Sequence, residues 1–182
     1  MFFLSAAFAT LALLTIRSAL GVVIPGASTP LFYFVSSSPS SPSNLLPLRM
    51  NGGAGGYSTL TGTGPIGQFY FTQGRLTALN PAGSTSQTYM PVLASQLGSS
   101  GCSTYGQLGF VMGASAFRCA RYDGFQIQSN IENSQLGAHL VINYVGGFYA
   151  CGVGQEVWYK LSPGDGPSDC SPITLYTVPV TV

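Results

Sequence analysis

Short runs of alternating apolar and polar residues recur along this chain, separated by clusters of Gly, Pro, Ser and Asn. The clearest run covers residues 68–79 and predicts a β-hairpin around a two-residue turn at Gln73-Gly74. Gln73 is an unfavourable residue there, because such a turn favours positive φ angles, which side chains other than Gly and Asn resist. The hairpin would pair Phe71 with Leu76, Phe69 with Ala78 and Tyr70 with Thr77.

The remaining pattern predicts an all-β protein. Strands are predicted over residues 28–35, 45–50, 107–112, 125–128, 138–145, 157–161 and 173–178. Residues 80–101 are mostly polar and are predicted to form a long connection with a short edge strand at 89–93. No part of the chain after residue 20 shows the 3.6-residue periodicity of a helix. Many short strands with frequent turns are typical of a β-barrel or β-sandwich.

A faint internal repeat adds a third arrangement. Residues 67–79, 106–120 and 146–161 each place a Gly and an aromatic or apolar residue ahead of a second short strand. Three such units would suit a β-trefoil-like arrangement, whereas a Greek-key barrel or sandwich requires no repeat. The sequence therefore predicts a single disulfide-stapled β-barrel or sandwich and leaves the β-trefoil-like arrangement open.

The segment 145–178 gathers residue types that are rare elsewhere in the chain. It contains the only Trp, two of the four Cys and three of the five acidic residues. Two apolar alternating runs in it are separated by a loop over residues 162–168, which is rich in Pro, Gly and Ser. We therefore predict that this segment completes the β domain with two strands, a polar loop and a Cys at each end.

The chain begins with a targeting signal. Residues 2–16 are apolar and uncharged, Arg17 ends the run, and small residues follow at Ser18, Ala19 and Gly21. The run is shorter than the ~20 residues that span a membrane, and it fits the core of a secretory signal peptide. We predict a signal peptide at residues 1–20, cleavage near residues 19–21 and a secreted β domain over residues 28–182.

The low charge of the chain limits its partners. Charged residues make up 6% of the 182 residues, and the formal net charge is +1. A typical domain has about 25% charged residues. Without a basic surface, neither nucleic acid nor, after signal cleavage, a membrane is an expected partner.

The four cysteines are predicted to form disulfides, because secretion would expose them to an oxidising compartment. Three connectivities are open, and the two shortest loops favour Cys102–Cys119 and Cys151–Cys170. The spacing lacks a Cys-x-x-Cys pair, so no metal site and no cofactor are expected.

Candidate chemistry is sparse, and we expect no catalytic residues. His139 is the only His and lies inside a predicted strand. A glycan hydrolase would need two facing carboxylates, and Glu156 and Asp165 lie near aromatic residues in the sequence. Hydrolysis is the less favoured function, because Asp is common in turns. The other acidic residues are Asp123, Glu132 and Asp169.

Ligand binding is the better candidate function for the aromatic residues. Tyr and Trp combine a flat apolar face with a polar tip, which suits stacking on sugar rings. Trp158 and Tyr159, with Glu156 and Asp165, are the candidate ligand-binding residues. For Trp158 itself, packing in the core is the favoured interpretation, because it alternates with its neighbours inside a predicted strand, and the loop over residues 162–168 is the part of this segment where a binding role stays open.

The last quarter of the chain contains a recognisable set of residues: Phe148, Cys151, Trp158, Asp169 and Cys170. With these residues the chain resembles small secreted fungal cell-surface proteins, and the phialide-type cell wall proteins in particular. The resemblance implies a surface or cell wall protein, and it supplies no catalytic residues.

These observations predict a secreted or cell-wall-associated β protein that is not an enzyme and has a structural or interaction role. A lectin-like carbohydrate-binding module is the alternative. The expected partners are a cell-wall glycan or another surface protein, and the oligomeric state is left open.

Overall fold

The computed structural model describes residues 21–53, 55–83, 87–113, 117–131 and 136–181. The predicted signal peptide and Glu132 therefore lie outside the described residues. The described part is built from strands and contains no α-helix, so the all-β prediction is confirmed. The thirteen strands are β1 Phe32–Ser37, β2 Arg49–Asn51, β3 Tyr57–Thr59, β4 Phe69–Thr72, β5 Arg75–Leu79, β6 Thr88–Gly98, β7 Gly101–Val111, β8 Ala120–Arg121, β9 Phe125–Gln128, β10 His139–Ile142, β11 Gly147–Cys151, β12 Glu156–Lys160 and β13 Cys170–Pro179.

The strand pairings close into a ring. Eight strands follow one another around it in the order β1, β4, β5, β6, β7, β12, β11 and β13, and β13 pairs again with β1. All of these pairings are antiparallel. Closing a sheet in this way removes exposed strand edges, and it corresponds to the barrel among the arrangements that the sequence leaves open.

The ring closes because β13 is long enough to pair with two other strands of the ring, β11 and β1. Its first residues, Cys170 to Ile173, pair with β11, and its remaining residues pair with β1. The segment that begins at residue 21 also joins the ring there, since the Val22 amide donates to the Val180 carbonyl at 3.0 Å. Residues 21–27, ahead of the predicted domain start at residue 28, thus contribute to the fold.

The pairing does not follow the threefold repeat. Residues 67–79 and 146–161 do form hairpins, β4–β5 and β11–β12. The middle unit, residues 106–120, does not, because β7 and β8 each pair with β6. The β4–β5 hairpin itself has the predicted register at all three residue pairs, and Gln73 takes the unfavourable φ of +49°.

Aromatic side chains dominate the core. Phe34, Phe69 and Phe110 are fully buried. The ring centroids of Phe34 and Phe69 are 4.9 Å apart, and those of Phe69 and Phe110 are 6.1 Å apart. Each of these aromatic side chains removes a large apolar area from water, so their contacts hold the two sides of the closed sheet together.

Four strand predictions are wrong. The strand predicted over residues 45–50 does not begin until Arg49, where β2 starts. Residues 80–101 are not mainly a connection, because β6 occupies eleven of them and pairs along its length with β7. The strand predicted over 138–145 ends at Ile142, where the backbone turns. The segment 145–178 contains three strands rather than two, since β11 precedes the predicted pair.

Both predicted disulfides are confirmed. Cys102 is bonded to Cys119, and Cys151 is bonded to Cys170, which leaves no free Cys. Two disulfides in an all-β domain are compatible with an extracellular location.

Candidate functional site

The strongest candidate site lies on the outer face of strands β7, β11 and β12. Successive side chains of a strand point to opposite faces. Val157 and Tyr159 are buried in the core, so their neighbours on β12 point outward. We call six of the outward residues on these strands the outer-face cluster: Tyr105, Gln107, Tyr149, Glu156, Trp158 and Lys160.

Strand register brings the cluster together. Trp158 lies opposite Tyr149 on β11 and opposite Gln107 on β7. Lys160 lies opposite Tyr105. These residues are up to 55 positions apart in the sequence, so only the pairing of β7 with β12 makes them neighbours.

Trp158 is half-buried and lies at the centre of the cluster. Its ring centroid is 6.3 Å from that of Tyr105, and the two rings are tilted by 38°. The interpretation of Trp158 as a core residue is therefore wrong: its neighbours on β12 fill the core, and the indole lies against the outside of the sheet.

Polar groups line one edge of the indole. Glu156 Oε2 accepts hydrogen bonds from Gln107 Nε2 at 2.9 Å and from Trp158 Nε1 at 3.4 Å. The carboxylate thus orients both the amide and the ring, and all three side chains are held in a defined arrangement.

A loop closes the other side of the cluster. Both β12 and β13 are antiparallel to β11 and flank it, so the connection over residues 161–169 must cross that strand. We call this loop the crossing segment. Lys160 holds it in place: Nζ donates to the Pro167 carbonyl and lies 4.9 Å from the Tyr149 ring centroid. Lys160 is only 2% exposed as a result.

The four candidate ligand-binding residues predicted from the sequence do not lie at one site. Glu156 and Trp158 belong to the outer-face cluster. Tyr159 does not, because it is 2% exposed and its ring packs in the core against Phe148. Asp165 stabilises the crossing segment, where Oδ2 accepts from Thr104 Oγ1 at 2.7 Å and from the Ser162 amide at 3.0 Å.

Tyr159, which lies beneath this region, has a perturbed pKa. Burial raises the pKa of its phenol, and the positive charge of Arg121 opposes part of that shift. The hydroxyl donates a hydrogen bond to the Val145 carbonyl at 3.1 Å.

The candidate ligand-binding residues predicted from the sequence leave out four members of the cluster: Tyr105, Gln107, Tyr149 and Lys160. A signal for the first two is their spacing of two residues in one strand, which places them on one face. Nothing in the sequence indicates that this face meets that of Trp158.

Within the described residues, no group of three or more His, Cys, Asp or Glu side chains is arranged to hold a metal ion. No helix in the same part of the chain has the length and apolar character needed to cross a membrane. No protein-family model, no curated protein and no solved structure matches the chain.

Proposed function

We propose that this chain is a secreted β domain that binds glycan through its outer-face cluster, at the cell surface or in the cell wall, and does not catalyse a reaction. The observation that carries the proposal is the half-buried Trp158 beside Tyr105, with a carboxylate and an amide along its edge. An aromatic face with flanking polar groups suits a sugar ring, which has both an apolar C–H face and hydroxyl groups.

The local bonding of the carboxylates supports a binding role over hydrolysis. Glu156 accepts hydrogen bonds from Trp158 and Gln107, and Asp165 accepts them from two groups that fold the crossing segment. Each carboxylate is thereby engaged with its own neighbours. The predicted signal peptide, the two disulfides and the resemblance to phialide-type cell wall proteins support a location outside the cell.

Co-sedimentation with insoluble polysaccharides tests the proposal. The native protein is mixed with cellulose, chitin or β-glucan particles, and the bound fraction is measured against concentration. At least one polysaccharide is expected to bind saturably. Trp158→Ala is expected to weaken that binding at least about tenfold, as for other central aromatic contacts.

Tyr33→Ala is the matched control. Tyr33 is a half-buried aromatic residue on β1, on a different part of the ring, and its removal is expected to leave binding unchanged. Equal binding by the wild type and Trp158→Ala would refute the outer-face cluster as the site. Absence of saturable binding to every polysaccharide would favour another surface protein as the partner.

A further inference from the structure

A cavity of about 350 Å³ lies where β10 and β11 meet β13, and it is lined by residues from both faces of the sheet. Phe148 and Tyr159, whose side chains face inward, line it together with residues of β9, β10 and β13. The volume is at the lower end of the ~300–1,000 Å³ that is typical of small-molecule sites. It therefore suits a single ring and not a chain of sugars.

Polar groups converge on one wall of the cavity. His139 Nε2 and Gln128 Oε1 are 3.1 Å apart, and the His139 ring meets the Tyr176 ring edge-on at a centroid distance of 5.9 Å. Thr174 adds a hydroxyl-bearing side chain. Among the lining residues that the structure describes, none is Asp, Glu, Lys or Arg.

The turn at the cavity mouth contains an unusual aromatic residue. Asn143 and Tyr144 form the turn between Ile142 and Val145, which pair in an isolated β-bridge. Their φ angles are +48° and +58°. Asn tolerates this left-handed conformation, but a Tyr there costs stability relative to Gly. Tyr144 is also 62% exposed, so core packing does not offset that cost.

Neighbouring groups hold the turn in this shape. The Asn143 amide donates to the Gly124 carbonyl at 2.9 Å, and the Val145 carbonyl accepts from Tyr159. At Gly146 a Cβ atom would lie 2.5 Å from the Lys160 carbonyl oxygen. These contacts fix the backbone of the turn, and the turn in that conformation places Tyr144 at the cavity.

We propose that this cavity is a second binding site, which takes one neutral hydroxyl-bearing ring of monosaccharide size, with Tyr144 stacking on it. The aromatic ring supplies the apolar face, and the His139–Gln128 pair with Thr174 supplies partners for hydroxyl groups. A neutral ligand is favoured because a charged one would meet no opposite charge among the described lining residues. The site stands apart from the proposed function, because none of its described lining residues belongs to the outer-face cluster.

Ligand-observed and protein-observed NMR titration tests the proposal. Glucose, galactose, mannose and N-acetylglucosamine are compared with glucuronate and glucosamine as charged counterparts. At least one neutral sugar is expected to bind saturably, with shifts at His139 and Thr174, and the charged counterpart is expected to bind at least about tenfold more weakly.

Variants separate binding from folding. Tyr144→Gly is expected to weaken binding at least about tenfold while leaving the melting temperature unchanged or higher, and Tyr144→Phe is expected to retain binding. Gln73→Gly relieves the same backbone conformation in a distant turn, so it is the matched control and should bind like the wild type. In Trp158→Ala the sugar-induced shifts at His139 and Thr174 should persist even if binding at the outer-face cluster is lost, which distinguishes the two sites.

Three results would overturn the proposal. They are the absence of saturable binding by every neutral sugar, unchanged affinity in Tyr144→Gly, and a lower melting temperature in Tyr144→Gly, which would assign Tyr144 a structural role.

Discussion

At the scale of single residues, left-handed backbone angles occur where glycine is absent. Among the described residues other than Gly, those with a positive φ angle are Leu45, Gln73, Asn143, Tyr144 and Gln155. Local sequence preference opposes most of these conformations, and tertiary contacts impose them. The Gln73 case was predictable, because the hairpin pattern required a two-residue turn there. The Tyr144 case was not, because the strand pattern continues through residue 145.

Gln73 offers a direct measurement of this cost. Gln73→Asn is expected to raise the free energy of unfolding by about 0.5–1 kcal/mol, because Asn-Gly suits a turn with positive φ at both residues. Denaturant unfolding at constant m-value measures the gain. Gln126→Asn, the same change at an exposed position of β9, is the control and is expected to give no gain. Unchanged or lower stability in Gln73→Asn would contradict the prediction.

Because the pKa of Tyr159 is raised, we expect the folded protein to lose stability at alkaline pH. Its phenol pKa is raised in the folded protein, mainly by burial. Above about pH 10 the unfolded phenol loses its proton while the folded one keeps it. The unfolded state then binds fewer protons, so the contribution of Tyr159 is complete below pH 10 and is lost as the pH rises through the folded pKa.

The free energy of unfolding, measured from pH 8 upward, checks this prediction. Tyr159→Phe is expected to flatten the alkaline decline and to cost about 1 kcal/mol at neutral pH, through loss of the hydrogen bond to the Val145 carbonyl. Tyr33→Phe should keep the wild-type decline. An identical pH profile for Tyr159→Phe and the wild type would show that another group is responsible.

At the scale of elements, alternation located most strands but misjudged their extent. The β4–β5 hairpin was predicted to the register, because its contacts are local. β6 was missed over most of its length, because polar residues such as Ser95 are accommodated by pairing with β7, and the sequence of β6 alone cannot show that partner. The disulfide pairing followed from short loops.

The Cys151–Cys170 disulfide holds the start of β13 to the end of β11, beside the crossing segment. Replacing both residues with Ala is expected to lower the free energy of unfolding by about 3 kcal/mol, since the bond closes a loop between residues 19 apart. Hydrogen exchange is also expected to accelerate over residues 161–169. Replacing Cys102 and Cys119 should cost about the same stability without that local effect. Equal exchange rates in the two double variants would contradict this assignment.

At the scale of the whole molecule, closure of the strands into a ring gives the sheet an inner face and an outer face with different roles. The inner face carries the aromatic core, and the outer face carries Trp158. One strand, β12, contributes to both, since Tyr159 and Trp158 point to opposite sides. The two proposed sites are therefore linked through a shared strand, although their ligands would not meet.

The sequence by itself determined the all-β class, the hairpin register and the two disulfides, because alternation, turn residues and short loop lengths are local properties. Only the tertiary structure decided that the strands close into a ring, that Trp158 faces outward beside Tyr105, and that Tyr144 stands at a cavity mouth. These features depend on pairing between strands that are distant in the chain. The register of such pairs is set by the packing of the whole core, and a shift of one residue would exchange the inner and outer faces.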